Sequence, residues 1–266
     1  MEDIRNSKRS ISTIFSSGGE RVNLFACAAI LAGFIVSLYL LLSRMEYSWN
    51  WRIVWEYRRL YLYGLYYTLA ISTGAICLGY VLGLAGGIAR ISGNAFAKEA
   101  ARLYVIFFRG SPLLIQIYIF YFCLAAAIGY DNPVVIGVVA LAAFSGAYIA
   151  EIVRAGIESI DRGQSEAALS TGLTGWQTLR YVIFPQAFRR IIPPVTGQFV
   201  SLIKDSSLLS VISVRELTKA SEVVNATTYK TFEAYLPLAL MYLLLTYPLS
   251  YLAQALETKL RKSDRA

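Results

Sequence analysis

Histidine is absent from this chain of 266 residues, and cysteine occurs only three times. Without an imidazole the chain lacks the commonest general base and metal ligand, which excludes most hydrolase and metalloenzyme mechanisms. Cys27, Cys77 and Cys123 lie far apart, each within an apolar run. We therefore expect small buried apolar side chains at these positions, and neither a disulfide framework nor a metal site. No cofactor is predicted for this chain.

Charge is scarce, and a phosphate-binding loop is missing. Charged residues make up 16% of the chain and hydrophobic residues 56%. The pattern Gly-x-x-x-x-Gly-Lys-Ser/Thr does not occur, which excludes ATP binding of that kind. Uncharged runs of about 18 residues or more recur along the sequence and are long enough to cross a bilayer. The composition predicts an all-α, polytopic membrane protein without catalytic residues.

Six segments are predicted to span the membrane. The first is too long for the apolar region of a secretory signal peptide, and no small-residue cleavage site follows it. A tryptophan-rich interfacial link at 46–59, a basic loop at 90–102 and a polar link at 215–233 join some of the segments. The predicted spans are Val22–Ser43, Leu60–Ala89, Leu103–Ile128, Pro133–Ile157, Pro194–Val214 and Ala234–Leu256.

Lysine and arginine are distributed unevenly between the two sides of this topology. The tail 1–21, the connections 90–109 and 154–190 and the C-terminus hold 17 of the 25 basic residues, and the other side holds seven. Because basic residues are enriched in cytoplasmic loops, both termini are predicted to be cytoplasmic. The net charge of +8 therefore reflects orientation in a lipid bilayer, and nucleic acid is not an expected partner.

Small residues and charges within the spans carry two predictions. Gly79, Gly83 and Gly87 recur every four residues, a spacing that lets two helices approach closely. We predict a helix-packing role for them, with flexibility or a bend as the alternative. Glu151 and Arg154 lie one turn apart near the end of the fourth span. They are predicted to form a structural charge pair, with substrate contact as the alternative.

Lys204 and Asp205 interrupt the fifth span more centrally. Charges inside a membrane are costly and usually pair with each other or line a pathway, and both interpretations stay open here. In the second interpretation Asp205, with Ser206 and Ser207, faces the route of a zwitterionic amino acid, whose charges need partners outside water. Weaker candidates for the same pathway are Arg109, Ser111 and Gln116.

The connection between the fourth and fifth spans is too elaborate for a simple linker. Ser165 is a predicted helix N-cap, and Glu166 lies where a helix N-terminus favours negative charge. Ala167 and Ala168 are strong helix formers. Gly172 is predicted to end this short helix in the left-handed conformation.

A second helix is predicted to start at Thr174 and Gln177, which have the spacing of a capping box. Pro185 is expected to break that helix ahead of the Pro193-Pro194 pair, because proline lacks an amide hydrogen and clashes with the preceding turn. The sequence thus predicts a short helix, held between capped ends, that lies across the membrane surface.

These residues resemble the EAA loop of ABC-importer permeases: Glu166-Ala167-Ala168, three residues, Gly172, nine residues, and an apolar pair ending in Pro185. The resemblance covers roughly Thr68 to Ala255. The sequence departs from the family pattern at Ser111, Phe184 and Gly197, and any polar contact expected from an asparagine at position 197 is lost. Blocks similar to the branch that imports polar amino acids are Arg109-Gly110-Ser111-Pro112-Leu113-Leu114, 150–157, Pro185-Gln186-Ala187, Pro193-Pro194 and 204–208.

The resemblance implies a type I ABC importer permease fold at 60–258, with an extra helix and a link at 1–59 and a basic tail at 259–266. It implies that the EAA loop, about 161–185, couples the permease to the ATPase. The implied partners are two ATPase subunits that bind ATP and magnesium, a second permease subunit of the same or a homologous chain, and an external amino-acid-binding protein. The expected function is ATP-driven import of polar amino acids across the bacterial cytoplasmic membrane.

Other functions stay open. A secondary transporter driven by an ion gradient would show inverted repeats and broken helices, and no convincing internal repeat is visible. A membrane enzyme conflicts with the missing histidine and with the lack of a nucleophile constellation. A purely structural subunit of a membrane complex, without its own pathway, is compatible with one half of a heteromeric pair.

Overall fold

The computed structural model describes residues 29–30, 32–33, 36–37, 39–40, 43–44 and 46–263. These residues form helices and turns and no β-strand, in agreement with the predicted all-α class. The chain divides into two units, Met1–Trp49 and Asn50–Ala266. In the first unit the described residues between 29 and 43 are helical. The tail 1–21, Cys27 and the remainder of the first predicted span lie outside the described residues.

The second unit is a helix bundle. Helix α7 consists of Gly175–Thr178, a π-helical turn Leu179–Ile183 and Phe184–Asp205, and a 3₁₀ helix, Ser206–Ile212, follows it. In chain order the helices are α1 (Arg52–Glu56), α2 (Arg58–Ile91), α3 (Ala95–Gly110), α4 (Leu113–Ala125), α5 (Pro133–Glu158), α6 (Arg162–Ser170), α7 (175–205), α8 (Leu217–Thr228) and α9 (Thr231–Ser263).

Helices α2 and α5 pack side by side through the predicted glycine stripe. Gly79, Gly83 and Gly87 are all buried on α2. A Cβ at Gly83 would lie 2.5 Å from Ile149, and one at Gly87 would lie 2.6 Å from Val153. The space that a side chain would need is therefore already filled by α5. Because the contacts advance together along both helices, α2 and α5 run in the same direction.

The second and fourth predicted spans are confirmed as α2 and α5. Helix α5 starts where expected, because the Asn132 side chain accepts hydrogen bonds from the amides of Val134 and Val135 and Pro133 occupies the first turn. The link at 46–59 is shorter than predicted, since it contains α1 and since α2 begins at Arg58.

The third predicted span, Leu103–Ile128, is wrong, because this part of the chain is not one continuous helix. Helix α3 begins at Ala95, within the predicted basic loop, and ends at Gly110, and α4 leaves at an angle of 108°. Pro112 explains the break, since a proline disfavours helical geometry in the residue before it, and Ser111 is extended with ψ 150°. Since α2 and α5 are parallel, the segment between them must return across a bilayer, which makes the bent pair one crossing.

The prediction that Pro185 breaks a helix is also wrong. Pro185 is the second residue of Phe184–Asp205, where a missing amide hydrogen costs little, and the π-helical turn before it absorbs the proline ring. Pro193 and Pro194 lie inside the same helix. The fifth predicted span, Pro194–Val214, therefore begins too late and ends as a 3₁₀ helix.

Two further expectations need correction. The predicted polar link 215–233 contains α8, a helix of 12 residues. Cys77 and Cys123 are exposed on the surface of the helix bundle and are not buried side chains of its interior. Both cysteines lie on faces of spanning helices that a bilayer or a partner subunit can cover. An apolar run in the sequence therefore does not show whether a side chain faces the interior of the bundle or its surface.

Several of the described helices are long and apolar enough to span a membrane. By length and composition α2, α5 and residues Thr231–Thr258 of α9 can each cross a membrane, and the bent pair α3 and α4 raises three such spans to four. The prediction of about six spans stays a prediction.

Gly83→Ala is expected to destabilise the bundle, because its new Cβ would lie 2.5 Å from Ile149. Overpacking typically costs about 1–3 kcal/mol, which exceeds the roughly 0.5–1 kcal/mol that alanine gains over glycine in a helix. Gly74→Ala is the matched control on the same helix, since its Cβ would meet Val138 at an ordinary 3.7 Å. The unfolding temperature in detergent should fall only in G83A, and equal effects of both changes would contradict the packing role.

Candidate functional site

The segment that resembles the EAA loop forms a short helix with an exposed outer face. Helix α6 is capped by Asp161, whose side chain accepts a hydrogen bond of 2.7 Å from the Gly163 amide. Ser165 is therefore not the N-cap, and Glu166 lies in the middle of the helix instead of at its start. Sequence reasoning missed Asp161 because Ser165 matched the capping preference equally well.

Gly172 terminates α6 as predicted: it follows the last helical residue, Ser170, by two positions and is left-handed, with φ of +88°. The Gly172 amide donates to Leu169 O at 3.0 Å, and the Leu173 amide donates to Ala168 O at 3.3 Å. This pair of bonds is a Schellman motif, which requires a left-handed residue and so favours glycine. The turn leads directly into α7.

The start of α7 also agrees with the sequence prediction. Thr174 Oγ1 accepts from the Gln177 amide at 3.3 Å, and Gln177 Oε1 accepts from the Thr174 amide at 2.8 Å. Both halves of a capping box are thus formed. Only four residues lie between the last residue of α6 and the first residue of α7, so both helix ends are held by local bonds.

The outer face of the loop combines a carboxylate with apolar side chains. Glu166 and Ala167 point outward, while Ala168 is buried at 6% exposure. Leu169 and Trp176 are 51% and 62% exposed. A partner surface that covers this face would bury them together with the EAA residues.

A core cluster and one arginine hold the loop on the bundle. The cluster beneath it contains Ile157, Ile160, Ile183 and Ala187, from the end of α5 and from α7. Arg190 Nη1 donates to the carbonyl and hydroxyl oxygens of Ser159 at 2.6 and 2.9 Å. Because these contacts join α7 to the segment before α6, displacement of the loop would be transmitted to both long helices.

Glu151 is the centre of a larger charge cluster than the sequence predicted. Its carboxylate lies 2.5 Å from Arg154, 3.4 Å from Arg90 and 3.9 Å from Arg109. Arg154 also forms an ion pair with Glu158. The cluster joins the ends of α2, α3 and α5, and sequence spacing could reveal only the pair within α5. Arg90 was missed because its partner is distant in the chain.

The three weaker pathway candidates, Arg109, Ser111 and Gln116, form side-chain contacts near the bend between α3 and α4. Gln116 is 1% exposed, and its side-chain amide donates to Phe108 O and to both oxygens of Ser111 at 2.8–3.0 Å. These bonds satisfy acceptors at the end of α3 that would otherwise lack partners. Arg109 lies toward Glu151 and 5.0 Å above the ring of Tyr148. A pathway role for the three stays a prediction.

The Lys204–Asp205 pair lies where helical geometry changes. Asp205 is the last residue of α7 and is half-buried, and Lys204 is exposed. Ser206 donates to Ile203 O at 2.8 Å and is buried, whereas Ser207 is half-buried. Neither Lys204 nor Asp205 forms a salt bridge with another residue that the structure describes. The structure thus leaves Asp205 and Ser207 more accessible to a substrate than Ser206.

One buried carboxylate was missed altogether. Glu216 is fully buried and caps α8, accepting hydrogen bonds of 2.7 and 2.8 Å from the amides of Thr218 and Lys219. The Tyr242 hydroxyl of α9 donates to it at 3.1 Å, and the first amide of α8 donates to Thr68 Oγ1 of α2 at 3.1 Å. Glu216 thereby fixes α8 between two long helices. Glutamate is not a preferred N-cap, so no local signal identified it.

Taken together, long parallel helices, a broken span and a capped surface helix define a polytopic transport subunit. A model of the family described as binding-protein-dependent transport system inner membrane component matches residues 75–262. The chain belongs to this family, and its fold is that of type I ABC importer permeases.

Relatives and solved structures agree with this assignment. The glutamine transport system permease protein GlnP of Escherichia coli (strain K12) is 37% identical over 216 residues, which cover 80% of this chain and 99% of the relative. A chain from the crystal structure of an amino acid ABC transporter with histidines is 34% identical, with a TM-score of 0.75 over 80% of this chain and 100% of that chain. A chain of the inward-facing methionine ABC transporter MetNI shares the fold, at 20% identity and a TM-score of 0.60 over 75% of this chain and 97% of that chain.

Glu216 is expected to make stability depend on pH. Burial raises the pKa of its carboxyl from 4.5 to about 7, against the opposing effect of its hydrogen bonds. At this carboxyl the folded state therefore binds more protons than the unfolded state between these values, so the contribution of Glu216 to stability is greatest below pH 4.5 and falls as the pH rises to about 7. The loss is at most about 3 kcal/mol.

The measurement is the unfolding temperature of wild type and Glu216→Gln in detergent across that pH window. The variant is neutral at every pH and keeps an oxygen for the two amides, so its profile should be flatter than that of wild type. Parallel profiles would show that Glu216 does not titrate in this window.

Proposed function

We propose that this chain is the permease subunit of an ATP-driven importer of polar amino acids. The observation that carries the proposal is the exposed face of α6, an EAA segment closed by the Gly172 turn and set on the ends of α5 and α7. Relatives named as glutamine and amino-acid transport proteins over most of the chain support the substrate class.

The coupling role of the loop follows from its mechanical connections. Helix α6 is short and exposed, so it can enter a cleft of a partner, and Leu169 and Trp176 would supply apolar contact area. Arg190 and the cluster around Ile183 then pass a displacement of α6 to the long helices. We propose that Glu166, Ala167, Ala168, Gly172 and Pro185 form this coupling unit.

The assembly we propose contains two permease subunits, two ATPase subunits and an external amino-acid-binding protein. The ATPases bind ATP and magnesium, and this chain performs no chemistry of its own. ATP at the ATPases and the loaded binding protein on the outside bias an equilibrium between inward-open and outward-open states. We place both termini and α6 on the cytoplasmic side, because that side carries most of the arginine and lysine.

The transport path of the amino acid is proposed to pass Asp205 and Ser207. A zwitterion that leaves water needs an anionic partner for its ammonium group and donors for its carboxylate. The end of α7 supplies the first as Asp205, half-buried beside the 3₁₀ helix. Lys204, one residue earlier and exposed, can supply a donor.

Purification of the tagged chain from its native membrane in mild detergent tests the assembly. An ATPase with a phosphate-binding loop should co-purify in about equal amount, and a second permease would reveal a heteromeric pair. Isolation of the chain alone, with amino-acid uptake driven by an ion gradient in vesicles without ATP, would contradict the importer assignment.

Gly172→Val is expected to uncouple ATP hydrolysis from uptake. A β-branched side chain at φ of +88° is strained by at least about 1–2 kcal/mol, which should disturb the turn and the outer face of α6. Gly175→Val is the matched control, because Gly175 lies in the same loop with open space around its Cβ and without a positive φ. The ratio of ATP hydrolysed to amino acid imported, measured in proteoliposomes with the complete complex, should rise only in G172V. A normal ratio would refute the docking role.

Asp205→Asn is expected to lower uptake while the complex still assembles. Removing a charged partner costs about 1.5–3 kcal/mol of interaction, or roughly tenfold or more in transport. Asp131→Asn, in the exposed turn before α5, makes the same chemical change away from the proposed path. Initial uptake rates at equal amounts of purified complex provide the measurement. Unchanged uptake in D205N would exclude Asp205 from the path.

A further inference from the structure

A groove of about 580 Å³ lies beside α6, at the end of the bundle that carries the EAA segment. Its walls come from the end of α2, the start of α3, the end of α5 and the first turns of α7. Leu169, proposed above as apolar contact area for a partner, lines this groove, whereas Glu166, Ala167, Ala168, Gly172, Pro185 and the transport-path residues do not.

The groove is lined by four cations and one carboxylate: Arg90, Lys98, Arg102, Arg154 and Glu158. Arg90 and Arg154 have side-chain exposures of 18% and 24%; both are ion-paired with Glu151, and Arg154 is also paired with Glu158, so their charge is partly compensated as well as partly shielded from water. Lys98 is exposed, and its side-chain ammonium forms no hydrogen bond or ion pair with a residue in the described part of the chain. Charges that are partly withdrawn from solvent attract an anion more strongly than surface charges do.

One buried hydroxyl in the lining also lacks a partner. Thr178 is 5% exposed, and its Oγ1 has no hydrogen bond to any residue that the structure describes. An orphaned buried hydroxyl is costly unless a ligand or a water satisfies it. Thr178 lies on α7, while Lys98 and Arg102 lie on α3, so donors approach the groove from two helices.

The remaining lining of the groove is apolar. Ile91, Ile157 and Leu179 belong to it. On the adjacent α3, Phe96 is 84% exposed and lies two residues before Lys98, and Leu103 is 65% exposed and directly follows Arg102. An apolar lining contributes nothing to the binding of a small inorganic anion. An amphipathic anion, in contrast, places its charged head on the cations and its chains along the apolar surface.

We propose that this groove binds the headgroup of an anionic phospholipid, with the acyl chains lying along α3. Basic pockets between membrane helices are a recurring arrangement for such headgroups. The phosphate would contact Lys98 and Arg102 at the rim and Arg90 deeper inside, and Thr178 would supply a further hydrogen bond. Since Ser165 and Leu169 of α6 also line the groove, the lipid would contact the EAA helix directly.

The test uses the purified full-length chain, without its transport partners, so its outcome is independent of the proposed function. Native mass spectrometry measures the binding of phosphatidylglycerol and of zwitterionic phosphatidylcholine, offered in equal amounts. Wild type should prefer phosphatidylglycerol, and Lys98→Gln/Arg102→Gln should reduce that preference by about fivefold for each cation removed.

The matched control is Arg52→Gln. Arg52 is an exposed arginine paired with Glu56 on its own helix, as Arg102 is with Glu99, and it lies outside the groove. Its change should leave the preference intact. Thr178→Val, which keeps the shape of the side chain, tests the buried hydroxyl and should weaken phosphatidylglycerol binding without changing the charge.

Three results would overturn the proposal. The first is equal binding of the two lipids by wild type, and the second is an unchanged preference in both K98Q/R102Q and T178V. The third is full displacement of phosphatidylglycerol by millimolar inorganic phosphate, which would make the groove a site for a free anion. A preference that decreases with rising salt and is lost in K98Q/R102Q supports the lipid site.

Discussion

The close approach of α2 and α5 is the constraint on which the rest of the bundle depends. Three glycines on one face of α2 leave no room for a side chain, so α5 can pack only in one register. Because the two helices run in the same direction, the chain between them must return across the bilayer as the bent pair α3 and α4. The Gln116 side chain holds this bend by donating to the carbonyl oxygens of Phe108 and Ser111.

The same register brings the helix ends together around Glu151. Arginines from α2, α3 and α5 share its carboxylate. Helix α6 begins at Arg162, shortly after α5 ends at Glu158. The EAA helix therefore follows the end of α5 that carries this charge cluster. A partner that displaces α6 would act on helix ends whose charged side chains are already paired with one another. The Asp205 region is more distant, at the far end of α7.

Short sequence motifs predicted the structure correctly where the contacts they describe join neighbouring residues. The Gly172 turn, the Thr174–Gln177 capping box and the start of α5 at Pro133 follow from neighbouring residues and agree with the prediction. The predicted helix break at Pro185 is wrong, because the adjacent π-helical turn accommodates the proline ring. The N-cap of α6 was misplaced since Ser165 and Asp161 both satisfy the same preference.

The sequence by itself determined that this chain crosses a membrane, which segments form α2, α5 and α9, and where the EAA loop lies. Hydrophobic run length, small-residue spacing and cap chemistry are properties of neighbouring residues, so they can be read without coordinates. Only the tertiary structure decided that Arg90 and Arg109 share Glu151, that Glu216 fastens α8 to Tyr242, and that Cys77 faces outward. These contacts join residues far apart in the chain, and their partners depend on how whole helices pack.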